Sequence, residues 1–211
     1  MPRKVGTDRR EEILVVACDV LMERGFAKTR ISDVAHRLGI SAPLVVYHFG
    51  SKDALLAEAF AFASRAETAL VDNLAESSDS PVERLDALLV AGVGPATRTS
   101  WALWIDSWGE ALRSEVLRRT WRQLDDRWRR SLQRVIEDGM TARVFVRGDA
   151  AERASVLAAL LDGLGVQVAL RHAPRAASLD QARRVAAELL GFSPERIRPR
   201  GSGSGEETGR R

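Results

Sequence analysis

Residues 29–53, TRISDVAHRLGISAPLVVYHFGSKD, constrain this chain more than any other stretch. Ile31, Val34, Ala35 and Leu38 recur at helical spacing and put one apolar stripe along a short helix. Thr29 is placed to cap its start, and Gly39 stands where a left-handed residue ends it. Ser41 caps a second helix almost at once, with Pro43 tolerated in its first turn. Small Ala35 lets the second helix approach, Gly39 takes the turn, and Val45 plugs the angle between the two. Such spacing is that of a helix-turn-helix, whose second helix reads the major groove of double-stranded DNA.

The continuation is more specific. Tyr47-His48-Phe49, followed by Ser51-Lys52-Asp53 and Leu55, resembles the DNA-binding signature of the TetR family of one-component transcriptional repressors. The resemblance is close over residues 8–60; beyond them it extends only to length and helical character. It implies that His48 donates to the DNA backbone, that Tyr47 touches DNA and that Lys52 reaches a phosphate. Leu44 and Val46 depart from the hydroxyl residue and tyrosine usual in the family, so contacts there are not carried over. Ser41, Ala42 and Pro43 form the leading edge of the recognition helix and offer no bidentate base reading. Sequence preference is therefore expected to rest on apolar contacts, the Tyr47 ring, Arg30, Arg37 and DNA shape.

Charge is distributed accordingly. The formal net charge is +3, and residues 1–52 hold nine Lys and Arg against six Asp and Glu, so the whole excess lies with the helix-turn-helix. One cysteine, Cys18, excludes a disulfide framework within the 211 residues and fits a reducing, cytoplasmic setting. The N-terminus, charged through Glu12, offers no cleavable apolar run, and the apolar stretch 155–170 contains Asp162 and is too short to span a membrane.

Read in order, the chain is expected to be all-α, with about nine helices in two parts. Residues 1–51 form a DNA-binding head: a basic arm, a first helix capped by Thr7 with Ile13, Ala17, Val20 and Leu21 inward and Gly25 at its end, then the helix-turn-helix. Residues 52–193 form a ligand-binding and dimerisation body. It opens with one Ala-rich helix over 52–75, followed by helices over 81–93, 100–112, 115–138, 149–170 and 178–190. Their starts are marked by the capping pairs Ser80/Glu83 (with Pro81), Asp149/Glu152 and Ser178/Gln181, and Gly139 and Gly148 bracket a loop. Residues 194–211, Gly/Ser and charge, are expected to be a disordered tail.

An enzyme is not expected. His36, His48 and His172 have no metal-ligand spacing with one another or with Cys18, and no glycine-rich phosphate loop occurs, so neither a metal nor another cofactor is implied. The last two helices carry more apolar surface than one buried stripe needs, from Val156, Leu160, Leu161, Leu164 and Val168 to Leu179, Val185 and Leu189. In proteins similar to this one, such helices pair with their copies in a homodimer, which places two heads on a pseudo-palindrome. A DNA-binding protein without any ligand is the alternative.

All five tryptophans fall between residues 101 and 128. Trp101, Trp104 and Trp108 share one helix with Asp106, and Trp121 and Trp128 flank Asp125 on the next, with Asp162 able to approach from a third. Two readings stand: tryptophans in a core with solvated acids, or a cage of indole faces and carboxylates for a small-molecule effector. A cage of that kind suits an organic cation such as a quaternary amine or polyamine. The arrangement also resembles the amine-sensing, BetI-like branch of the TetR family.

Overall fold

A computed structural model describes residues 9–94 and 98–193. The described residues form ten α-helices and no strand: α1 (Arg9–Lys28), α2 (Ile31–Leu38), α3 (Ala42–Phe49), α4 (Lys52–Ala63), α5 (Arg65–Glu76), α6 (Pro81–Gly92), α7 (Arg98–Ala111), α8 (Glu115–Thr141), α9 (Ala150–Ala169) and α10 (Arg175–Leu190). The N-terminal arm, the Thr7 cap, Pro95 and the tail over 194–211 lie outside the described residues.

The helix-turn-helix closes as its spacing requires. Gly39 adopts φ 65°, ψ 32°, and its N–H and that of Ile40 return to the His36 and Ala35 carbonyls. A side chain there would be strained, which is why glycine stands at this turn. Ala35 and Val45 are buried at the crossing, and the Ser41 hydroxyl accepts from Leu44 N–H at 3.4 Å. Burial of a side chain like Val45 contributes about 1.5–3 kcal/mol. Thr29, however, is not the cap of α2. Buried beneath the turn, its hydroxyl donates to the Gly25 carbonyl at 2.7 Å, and the cap position falls to Arg30, whose N–H is taken by the Asp33 carboxylate at 2.9 Å.

The expected single helix over 52–75 is two, which raises the count from nine to ten. At Ser64 the hydroxyl donates back to the Phe60 carbonyl at 3.0 Å, and Thr68 does the same to Ser64 at 2.6 Å. Back-bonding of this kind competes with the helical ladder and bends it. Two further boundaries move. α8 continues through Gly139 to Thr141, and glycine stands there because a Cβ would fall 2.0 Å from the Phe145 ring. α10 begins at Arg175, not at Ser178, because the Arg175 guanidinium anchors the start by donating to Gly94 O at 2.7 Å. Helix α1 breaks at the non-helical Gly25, where the sequence ends it, and a short helical stretch follows to Lys28. The Ser80/Glu83 box with Pro81 and the Asp149 cap stand as expected.

Two apolar cores result. One joins α1–α4 and takes in Ala111 and Leu117 from the α7–α8 corner. The other gathers α5, α6, α8, α9 and α10 around Leu85, Leu89, Leu132, Ile136 and Leu157. Helix α7 lies between them. Its face toward the first core carries Leu103 and Trp104, and it also packs on α8 and α9. No helix among the described residues is long and apolar enough to cross a membrane.

Candidate nucleic-acid interface and effector cavity

On the head, α3 turns Val45 and Phe49 inward and leaves Pro43, Val46 and Tyr47 outward, one turn apart on a single stripe. Tyr47 is 83% exposed, an unusual state for a large aromatic ring. Its ring leans edge-on against His48 at 5.4 Å, and the Arg10 guanidinium covers Phe49 from behind at 4.8 Å to the ring centre. Ser41 and Arg30 are exposed, and Ala42, His48 and Lys52 are half-buried around the same stripe. Ser51 caps α4 through Ala54 N–H at 3.1 Å, which holds Lys52 in the first helical turn. Arg37 departs from expectation: both its terminal nitrogens are held by Glu23, at 2.9 and 2.6 Å, so its guanidinium is committed within the head. Two basic residues that the motif did not single out, Arg24 and Lys28, line a polar recess beside Arg30.

The body contains a partly open cavity of about 90 Å³. All five tryptophans line it, together with Asp125 and Asp162, which α8 and α9 bring together as the sequence suggested. Four of the indoles have identifiable neighbours that place them. Trp101 lies against two glycines, since a Cβ at Gly165 would fall 1.9 Å from its ring and one at Gly94 2.4 Å. It meets Trp108 edge-to-face at 6.1 Å. Trp104 stands edge-on to Phe60 at 5.0 Å and donates its Nε1–H to Glu67 at 3.3 Å. Gly92 makes room for Trp128 and Leu161, and an added Cβ would come within 3.1 Å of the indole and 2.8 Å of the leucine.

Asp106 is not in the cage. It points to the opposite side of α7, where Oδ2 accepts the Phe26 backbone N–H at 2.7 Å. Leu161, read from sequence as part of the surplus apolar surface, is fully buried and lines the cavity. Sequence reasoning missed Glu67 and Thr68, which the break at Ser64 turns inward from α5, and Arg127, which Asp72 pairs from outside at 2.8 Å. Arg127, with a hydroxyl bond from Ser131, holds the Asp72 carboxyl below the usual carboxylate range.

Three lining carboxylates, from Glu67, Asp125 and Asp162, thus face one lining guanidinium that already has a partner. Asp125 is fastened to Arg129 at 2.7 Å, and Arg129 to the Ser155 hydroxyl at 2.6 Å. Burial, and then the Asp125 charge, push the Asp162 carboxyl up to about 6. Both effects disfavour its ionised form, so a positive charge placed in the cavity would be attracted and would restore it.

Residues 13–59 match the family model for bacterial regulatory proteins of the tetR family, and residues 81–191, just over half of the chain, match that of the BetI-type transcriptional repressor C-terminal region. The chain belongs to the TetR family. Among TetR-family relatives, BetI of Burkholderia mallei is 31% identical over 173 residues, 79% of this chain and 84% of that protein. BetI 1 of Chromohalobacter salexigens is 29% identical over 188 residues, 86% and 88% of the two chains. A transcriptional regulator from Saccharomonospora viridis, solved in complex with choline, superposes with a TM-score of 0.70 at 29% identity, covering 88% of this chain and 97% of that one. The protein is a TetR-family DNA-binding transcriptional regulator with a helix-turn-helix head and an all-α body.

Proposed function

We propose that this regulator is a BetI-like repressor that binds a pseudo-palindromic operator as a homodimer and releases it when an organic cation fills the tryptophan cavity. The observation that carries this reading is the convergence of five indoles, Asp125 and Asp162 on one cavity. Indole faces attract cations by about 0.5–2 kcal/mol each, most strongly when water is excluded, and a buried carboxylate adds charge pairing. The choline held by the Saccharomonospora viridis regulator supports the same ligand class.

On the DNA side, Tyr47, Pro43 and Ala42 supply apolar contact, and Ser41, His48, Lys52 and Arg30 supply donors for phosphates. The homodimer forms through the outward faces of α9 and α10, where Val156, Ala159 and Gly163 are exposed in the single subunit and Val185 is half-buried. Residues 1–51 act as the head, 52–193 as the sensor.

A thermal-shift panel tests the ligand class. Choline and spermidine should raise the melting temperature, and 3,3-dimethylbutanol, a neutral isostere of choline, should not. Saturation at a hundred times Kd corresponds to about 2.7 kcal/mol of stabilisation. Equal stabilisation by the neutral isostere, or by anions alone, would remove the cation reading and leave the regulator.

A further inference from the structure

Helix α1 breaks at Gly25, whose φ of 74° and ψ of 171° turn the chain out of the helix. The Phe26 N–H takes its acceptor from α7, the Asp106 carboxylate at 2.7 Å. Glycine is required here twice over, by its φ and because a Cβ would fall 2.6 Å from Asp106 Oδ2. Thr29 fastens the Gly25 carbonyl from the other side at 2.7 Å. The Phe26 ring, 1% exposed, meets Phe60 edge-on at 5.9 Å, and Phe60 meets Trp104 of the cavity wall at 5.0 Å. α7 therefore holds Phe26 by its backbone through Asp106 and by its ring through Trp104 and Phe60. At the far side of the head, the Ser114 hydroxyl that caps α8 donates to Asp53 in the first turn of α4 at 2.8 Å.

Positions 26 and 53 bracket the helix-turn-helix, and both are tied to the helix pair that carries every tryptophan. We propose that Asp106 is the positioning residue that couples cavity to head: with Ser114 it clasps the helix-turn-helix at both ends to α7 and α8, so that a shift of α7 turns the head. The proposal rests on reading the cavity as the effector site. A carboxylate accepting a backbone N–H is among the stronger hydrogen bonds, and its partner cannot be resatisfied in a packed corner. The linked elements form a contiguous chain of contacts between the two sites, a physical route by which coupling can travel.

Coupling is reciprocal, so DNA bound at the head must alter the cavity. Every tryptophan lies in the body and none in residues 1–100, which makes indole emission a report on the body alone. The test titrates the protein with a duplex that it has itself enriched from a random-sequence pool, following binding by anisotropy of the labelled DNA and coupling by tryptophan emission. Wild type should change emission on saturation. Asp106→Ala should bind the duplex yet lose most of that change, and Asp106→Asn, which keeps a carbonyl acceptor, should retain it. In a second arm, choline should weaken wild-type operator binding, and that factor should fall toward one in Asp106→Ala.

Failure of choline to bind wild type would strike the ligand class alone, since the emission arm needs no effector. If Asp106→Ala does not fold, the emission test passes to Phe60→Leu, which cuts the ring contact at similar volume, and to Ser114→Ala. An emission response equal to wild type in the folded variants, or none in wild type, overturns the proposal.

Discussion

Asp162 of α9 and Asp125 of α8 line the same tryptophan cavity, and the charge of Asp125 adds to burial in raising the Asp162 carboxyl to about 6. Because the folded state binds this proton more tightly than the unfolded chain, the carboxyl subtracts from stability as pH rises between its ordinary value near 4 and 6. Above pH 6 the full cost is present, about 1–2 kcal/mol after allowance for partial solvation. Asp162→Asn should therefore melt higher than wild type at pH 8, with the difference shrinking below pH 5. Cation affinity runs the other way: choline binding should strengthen as pH rises through 6 and lose that dependence in Asp162→Asn. Thermal melts read the first sign and calorimetric titrations of choline the second, each at pH 5, 6 and 8.

Gly165 exists to seat Trp101. Gly165→Ala would drive a methyl into the indole, at 1.9 Å in the present geometry, and either the ring or α9 must move. Overpacking of this kind costs about 1–3 kcal/mol, and the displaced ring should also weaken cation binding. Gly109→Ala on α7 meets nothing within 4 Å and should stabilise by about 0.5–1 kcal/mol. Chemical denaturation of the pair separates the two.

The head is legible in sequence because a turn between two short helices admits few residues: Ala35 and Val45 at the crossing, Gly39 at positive φ. The cavity is only partly legible, for two reasons. At about 3.6 residues per turn, Trp101, Trp104 and Trp108 share a face while Asp106 falls on the other side of α7, so nearness in sequence misassigned it. Glu67 and Thr68 reach the cavity through a bend made by the Ser64 hydroxyl, a local competition with the helix ladder that composition does not announce. The start of α10 depends on Arg175 reaching the Gly94 carbonyl, a long-range bond with no signal around Ser178.

His48→Ala and Lys52→Ala should weaken selected and random DNA alike. Each phosphate contact removed should reduce the slope of log K against log salt by about one. Tyr47→Ala should instead reduce the preference for the selected duplex. Salt titrations on both duplexes distinguish phosphate contacts from sequence reading, and unchanged slopes would contradict the roles of His48 and Lys52.

Leu161 is buried against the cavity and cannot report on assembly. Val156, which is exposed in the single subunit, and Val185 can. Val156→Glu costs an isolated subunit little, yet would bury an unpaired charge between paired α9 and α10 helices. Sedimentation should show Val156→Glu and Val185→Glu as folded monomers; intact dimers in both would move the interface elsewhere.

The most direct test of the regulatory reading is the affinity of the selected duplex with and without choline at a concentration shown by calorimetry to saturate the protein. A cation sensor should lose operator affinity by a factor within the usual range for coupled sites, about 5–150, and Trp104→Ala, by weakening choline binding, should diminish the loss at the same choline concentration. Operator affinity unchanged by saturating choline, or release only by neutral or anionic compounds, would contradict the account.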